Sequence, residues 1–329
     1  MSKLKIGILG CGRIAQLVHL KILTSLPKAE LVAFAESDTV SRQLAKRFAP
    51  NALAFADYRE VLELPEIQAV VICLPNVLHA EAAIRALQKG KHVYLEKPFA
   101  TNLEDAGEIL SIWRGSGRIG MMGFNQRFHP VIRDFKRNIQ SGKIGKVLSV
   151  RSVMSQAERN LPAWKKFRDT GGGVLLDLAS HHMDLIHFLF EEKIVEILAQ
   201  IESRQSEGDY ATLRLRLASG LLIQSLFSMN AATPEDRFEI DTAKKKFTMD
   251  RYRSFDRQNF LKKMIWPTYE PSYQAALTYF IEAIQSGRQA APDFTDGFRS
   301  LQVIAAAEES AKTGKAVSLR ETHENFACQ

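Results

Sequence analysis

Over the first 123 residues, short apolar runs alternate with stretches whose apolar positions recur at helical spacing. Runs of strand length occupy 5–9, 30–35, 68–74, 91–95 and 119–123. Near-continuous apolar runs of this kind suit parallel strands covered on both faces. Between them, 16–25, 58–63 and 102–115 read as helices, as does the stretch from His79 that carries Ala80, Ala83, Ile84 and Leu87. Gly90 stands where a helix C-terminus favours a left-handed residue, and Thr101-Asn-Leu-Glu104 has the form of a capping box. This alternation predicts an α/β domain built on a parallel sheet.

The rhythm then changes. A helical stretch at 131–141 ends at Gly142-x-x-Gly145, and 147–153 alternates in strand fashion, with Val147, Ser149 and Arg151 on one side. Leu148, Val150 and Ser152 fall on the other side. Strand-like runs follow at 194–204, 209–218, 220–229, 236–241 and 244–251, punctuated by Ser206-Glu-Gly208 and Ser219-Gly220. Short runs between turn signals predict a largely antiparallel sheet. A polar connection at 154–173 ends in Gly171-Gly-Gly173 and leads into a helix at 174–190. Pro271-Ser-Tyr273 opens a helix to Ser286, Asp296-Gly297 opens another at 297–313, and 315–319 is a last strand. The expectation is an α/β domain over 1–123 followed by an α+β domain over 124–329.

Size and charge narrow the classes. A chain of 329 residues, 46% apolar and 25% charged, is too long for one ordinary core and suits two soluble domains. No apolar run reaches the roughly 18 residues of a membrane span. Lys3 and Lys5 lead straight into a short apolar stretch and then glycines, too little for a secretory signal, so the expected setting is cytoplasmic with no membrane partner. Cys11, Cys73 and Cys328 are too few and too scattered for a disulfide framework or a zinc site. The net charge of +7 is uneven, because 244–263 holds eight basic residues against Asp250 and Asp256. That stretch reads as a solvated sheet edge guarded by lysines, or as a site for an anionic substrate. Nucleic acid is not expected as a partner, since no recognition motif accompanies the charge.

The candidate chemistry begins at Gly10-Cys-Gly-Arg-Ile-Ala15, a G-x-G-x-x-A loop between a strand and a helix. Gly10 permits the tight turn, Gly12 lets backbone approach a pyrophosphate, and the helix N-terminus offers N–H groups to phosphates. Glu36 closes the second strand 21 residues beyond Ala15, where a carboxylate binds a ribose 2′-hydroxyl. Its charge repels a 2′-phosphate and favours NAD, although Ser37 with Arg13 or Arg42 leaves NADP open. Leu74-Pro75-Asn76 and His79 lie where the next strand meets its helix, an edge at which ligands bind, or else His79 is a helix residue with no ligand. The following strand delivers Glu96-Lys97-Pro98 to the same edge, with Lys97–Pro98 a candidate cis peptide. Farther on, Asp177 and His181 stand at i and i+4 of one helix, with Asp184 at i+7. Such a pair is either a surface feature or a proton-transfer group, and histidine titrates in the range that proton transfer from an alcohol needs. His181, His182 and His187 lack the spacing of a metal site, so no metal is expected.

Together these stretches resemble the Gfo/Idh/MocA oxidoreductases, from Ile6 to about Leu319. The resemblance implies a Rossmann dinucleotide-binding domain at 1–123 and a substrate-binding and oligomerisation domain at 124–329. It implies hydride exchange between nicotinamide and a secondary hydroxyl of a sugar, cyclitol or sugar nucleotide. By resemblance Lys97 meets the nicotinamide end and the reacting hydroxyl, His181 is the general base, and Asp177 orients it or binds substrate. The cofactor set is then Gly10, Gly12, Arg13, Ile14, Glu36, Ser37, Leu74, Pro75, Asn76, His79, Glu96, Lys97 and Asn125. Arg127, Trp164, Arg168 and His182 become candidate substrate contacts, with an interdomain ion pair the alternative for Arg127 and loop anchoring the alternative for Trp164. The sheet implies a homodimer or homotetramer. Some relatives use NAD transiently for a net non-redox reaction such as glycoside cleavage, and others are non-catalytic regulators. Lys97, Asp177 and His181 occurring together argues against a regulator.

Overall fold

A computed structural model describes residues 2–158, 162–252 and 271–319. Its elements run β1 (Leu4–Leu9), a helix that begins as a π-turn at Ala15–His19 and continues as α1 (Leu20–Ser25), β2 (Ala29–Ala35), α2 (Thr39–Phe48), β3 (Leu53–Phe55) and α3 (Tyr58–Glu63). There follow β4 (Ala69–Ile72), α4 (His79–Gln88), β5 (His92–Leu95), α5 (Leu103–Ser116) and β6 (Gly120–Met122). Next come α6 (Pro130–Gln140), β7 (Val147–Ala157), a second π-turn at Leu175–Ala179 that leads into α7 (Ser180–Phe190), and β8 (Ile194–Glu202). The chain continues with β9 (Tyr210–Leu217), β10 (Leu222–Ala231), β11 (Glu235–Thr242) and β12 (Lys246–Asp250). It closes with α8 (Pro271–Ser286), α9 (Phe294–Thr313) and β13 (Val317–Ser318). None of the described helices is long and apolar enough to cross a membrane.

One compact unit comprises the described residues 2–128 and 271–298. Its six strands form one parallel sheet in the order β3-β2-β1-β4-β5-β6. That order reverses direction between β1 and β4, which opens a ligand crevice at the carboxyl ends of the strands. Leu277, Phe280 and Ile281 of α8 join Ile6, Ile8, Val71 and Tyr94 in its core, which is why a late segment belongs with the early strands. A single division after residue 123 was expected; by contacts the units part at 128/129, and the late segment returns to the first. The helix expected to be capped at Thr101 has Asn102 as its N-cap, whose side chain accepts from the Asp105 N–H at 2.9 Å. The left-handed Gly90 follows α4, as expected.

The second unit holds the described residues 129–158, 162–252 and 299–319. Its seven-stranded sheet runs β12-β11-β7-β10-β9-β8-β13. Only β7 and β10 pair in parallel; the other neighbours are antiparallel. β7 extends to Ala157, so the connection expected to start at residue 154 is shorter. Leu148, assigned by alternation to the same side as Val150 and Ser152, is 55% exposed while those two are buried. The basic stretch opens on the exposed turn at Lys244 and Lys245 and on the edge strand β12, where Lys246 pairs with Glu239 at 2.7 Å. A charged edge of this kind resists strand addition. Arg253, Arg257, Lys262 and Lys263 lie outside the described residues.

α7 is tied to this sheet by a buried polar cluster. The His182 ring lies 4.5 Å from that of Phe238 and 5.6 Å from that of Phe227. Its Nε2 is 3.2 Å from Asp236 Oδ1, and Arg251 Nε donates to Asp236 Oδ2 at 2.7 Å. Burial works to raise the Asp236 pKa, but Arg251 and then His182 outweigh it and hold the carboxyl below the ordinary range. Asp236→Ala takes away a shared acceptor from two buried donors and is expected to cost about 3–5 kcal/mol in urea denaturation. A folded-state pKa below the unfolded value of about 3.9 means this contribution is full above that pH and disappears as pH falls through the folded-state value. The gap between wild type and variant should therefore narrow on acidification, and a pH-independent gap would refute the assignment.

Candidate active site

Because every strand of the first sheet is parallel, the segments after β2, β1, β4, β5 and β6 emerge at one edge. They carry Glu36, the glycine loop, Leu74-Pro75-Asn76, Glu96-Lys97-Pro98 and Asn125. Glu36 reaches back over the glycine loop: Oε2 accepts from the Cys11 N–H at 2.8 Å and Oε1 from the Asp38 N–H at 3.0 Å. Burial and the Glu36 charge push the Cys11 thiol up to about 12, so it stays protonated. Arg42 donates through Nη1 to the carbonyls of Glu36 (2.6 Å) and Ser37 (3.1 Å). An arginine engaged in this way is a poor receptor for a 2′-phosphate, whereas Arg13 and Ser37 are exposed.

The glycine loop fits a dinucleotide. Gly10 has φ +87°, and a Cβ on it would lie 2.8 Å from the carbonyl oxygen of Cys73, so both conformation and space demand glycine. A Cβ on Gly12 would meet nothing within 4 Å, which leaves open space beside the backbone where a pyrophosphate can approach. Gln16 donates its backbone N–H to Gly12 at 3.1 Å as the helix begins, and Ile14 is half-buried there.

Two contacts hold the adjoining loops. His79 is buried, with Nδ1 2.7 Å from the Pro98 carbonyl and Nε2 3.0 Å from that of Leu74. Burial pushes its pKa down, opposed by the two carbonyls. The ring thus straps the segment after β4 to the segment after β5, where Lys97–Pro98 is cis as proline allows and Lys97 is half-buried. Glu96 is buried and meets His19 Nε2 at 2.8 Å, with the His19 ring edge-on to Tyr94 and Tyr273. Sequence reasoning missed His19. A lone helical histidine carries no signal, although a carboxylate closing an apolar strand implies a donor somewhere. Asn125 donates to Ser272 Oγ at 2.7 Å, and Arg127 makes a two-point pair with Asp296 at 3.1 and 3.3 Å, both within this unit. Asn76 is buried, and Leu74 and Pro75 are half-buried.

In the second unit, the glycine run brings a loop onto the start of the helix that bears Asp177 and His181. Gly171 and Gly173 have φ +88° and +93°, and a Cβ on Gly172 would collide with the backbone carbonyls of Lys165 and Phe167. Lys165 Nζ consequently lies 2.9 Å from Asp177 Oδ1, with the ammonium 5.3 Å from the centroid of the half-buried Trp164 ring. Lys165 was not among the expected site residues; its partner is only 12 positions away, but across a loop whose fold the sequence does not display. Arg168 forms a two-point pair with Glu308, its Nη2 donating at 3.0 Å. His181 and Asp184 are buried on the same helix. Asp177 sits inside the π-turn, so its offset from His181 is not that of a regular α-helix. The candidate substrate contact His182 is wholly buried against Asp236.

The first unit therefore offers a glycine loop, a diol-binding carboxylate and a lysine on one sheet edge; the second offers a carboxylate and a histidine on one buried helix. The family model described as "Oxidoreductase family, NAD-binding Rossmann fold" matches residues 4–124, and the GFO/IDH/MocA C-terminal domain matches 132–248. The chain is 27% identical to myo-inositol 2-dehydrogenase of Thermotoga maritima, over 97% of this chain and 99% of that protein. It is 26% identical to glucose-6-phosphate 3-dehydrogenase of Bacillus subtilis, over 91% and 94%. The crystal structure of a probable dehydrogenase from Thermotoga maritima superposes with a TM-score of 0.85 at 26% identity, covering 97% of this chain and 99% of that one. This chain belongs to the Gfo/Idh/MocA family of NAD-binding oxidoreductases.

Proposed function

We propose that this oxidoreductase oxidises a secondary hydroxyl of a sugar or cyclitol to the ketone, reversibly and with NAD. The observation that carries the reading is the delivery of Glu36, the Gly10–Gly12 loop and Lys97 to one edge of a parallel sheet. Relatives named for myo-inositol and glucose 6-phosphate support the substrate class. NAD+, when bound, accepts the hydride that leaves the carbinol carbon. His181 takes the hydroxyl proton, so the products are ketone, NADH and one proton. Lys97 stabilises the developing alkoxide with its positive charge, while Asp177 orients His181 or holds a neighbouring hydroxyl. Glu36 accepts from the adenosine ribose diol, and Gly10, Gly12, Arg13, Ile14, Ser37, Leu74, Pro75, Asn76 and Asn125 line the dinucleotide. His79 and the His19–Glu96 pair fix the loops that present Lys97. Residues 1–123 carry the cofactor and 124–329 the substrate side. The second sheet, where Leu148 (55%) and Leu198 (37%) stay exposed, forms the surface between subunits of a dimer or tetramer.

Lys97→Ala and His181→Ala should each lower kcat by about 10²–10⁴ while the NAD dissociation constant stays near wild type. Wild-type turnover in either variant would refute the role given to it. The assay is NADH absorbance with a panel of sugars and cyclitols; altered sugar without NADH would replace this reading with transient oxidation. Glu36→Ala should weaken NAD by about tenfold and erase its advantage over NADP. An unchanged preference would show that the carboxylate does not choose the cofactor. Leu148→Asp should shift the mass measured by light scattering towards the monomer, and an unshifted mass would place the interface elsewhere.

A further inference from the structure

The cations that the sequence offers for gripping an anionic substrate are engaged by carboxylates wherever they are described. Arg127 pairs with Asp296, Arg168 with Glu308, Arg251 with Asp236 and Lys246 with Glu239. Lys165 also has a carboxylate partner, but its setting differs from the rest. Its partner is Asp177, the acid placed one helical turn before His181. The carboxylate side chain is 7% exposed and the lysine side chain 23%, so the pair is largely shielded on the acid side and open on the amine side. The Trp164 ring flanks the ammonium at 5.3 Å. The contact is built into the chain: Gly172 admits the Lys165 carbonyl where no side chain fits, and Thr170 Oγ1 donates to the Trp164 carbonyl at 2.8 Å.

An ammonium carries three donors and a carboxylate about four acceptor positions, so one 2.9 Å contact exhausts neither group. Side by side they present a donor and an acceptor whose charges cancel. A phosphate or carboxylate gains little from such a pair, because Asp177 repels it as Lys165 attracts it. A hydroxyl, which both donates and accepts, matches the pair in full. We propose that Lys165 is a specificity-determining residue: with Asp177 it reads the hydroxyl adjacent to the reacting carbinol, and so selects uncharged substrates with a vicinal diol. This rests on the dehydrogenase reading above and adds to it a residue and a selection rule.

The test uses the wild-type holoenzyme with Lys165→Met and Lys165→Arg, assayed on myo-inositol, scyllo-inositol, D-glucose and D-glucose 6-phosphate. For the best neutral substrate, a mono-deoxy counterpart lacking the adjacent hydroxyl is added. Binding of the same compounds to the enzyme–NADH complex is measured by calorimetry. Lys165→Met should raise KM for the neutral substrate about 10–100-fold with kcat changed less than about threefold, and Lys165→Arg should recover much of the loss. Wild type should disfavour the deoxy compound about 10–100-fold, and the Met variant should no longer distinguish the two. A Met variant that keeps this discrimination overturns the role of Lys165 and leaves the dehydrogenase reading standing. Preference of the wild type for glucose 6-phosphate over every neutral compound overturns the selection rule. If the compounds neither bind nor reduce NAD, the dehydrogenase reading falls and the inference falls with it.

Discussion

The cofactor end of the molecule depends on how closely Gly10 lies against the carbonyl of Cys73. β1 and β4 run in parallel with Leu9 opposite Ile72, and the Cys73 N–H donates to the Leu9 carbonyl at 2.7 Å. The two chains therefore leave the sheet at the same level, pressed together. From there one turns into the glycine loop and the other into Pro75-Asn76. Any Cβ at position 10 would push them apart. The same closeness puts the Cys11 N–H within reach of Glu36, so the carboxylate that faces a ribose also locks the loop that faces a pyrophosphate. His79 and the His19–Glu96 pair repeat the pattern one and two strands farther along, each joining neighbouring exits with a buried imidazole.

Both helices that carry the chemistry begin with a π-turn, at Ala15–His19 and at Leu175–Ala179. A π-turn widens the helix by one residue and changes which side chains share a face. In the first unit it ends on His19, which meets Glu96 below the Lys97 turn. In the second it contains Asp177, which meets Lys165. Each widened turn thus carries a buried group that pairs outside its own helix. Hydrogen bonds from side chains reinforce the second: Ser180 Oγ donates to the Leu176 carbonyl at 2.8 Å, and Ser300 Oγ to that of Ser180 at 3.0 Å.

What the sequence displays and what it hides follow from the range of the interactions. Parallel strands announce themselves because both faces are buried and the apolar runs are unbroken. Gly10, Gly12 and Glu36 announce themselves because their spacing is set by local turns. α2 and β3 escape notice because their apolar residues do not mark a core: Val40, Leu44 and Phe48 are 64%, 36% and 38% exposed, and Ala45 alone of the helix is buried. The return of α8 to the first core is equally silent, since packing against strands some 200 residues earlier leaves no period in the sequence. His19–Glu96 spans 77 residues and Lys165–Asp177 crosses a loop folded by three glycines. In both, each residue looks ordinary alone and acquires meaning only with its partner.

The surplus of positive charge needs the same partner-by-partner treatment. A net charge of +7 invites the idea of an anionic ligand, above all when eight basic residues crowd into 244–263. Among the described residues, the exposed Lys244 and Lys245 sit in the turn before an edge strand, where repulsion of a second edge is reason enough for them. Arg251 looks inward to Asp236, a wholly buried carboxylate that would otherwise face the cost of desolvation alone. Arg127 and Arg168 each hold an acid at two points, a geometry that fixes a guanidinium in place rather than offering it to a ligand. Lys165 differs because its ammonium remains partly open while its carboxylate partner is almost closed off. Position relative to a counter-ion, and not the sign of the local sequence, therefore separates cations that build the fold from the one that can meet a substrate.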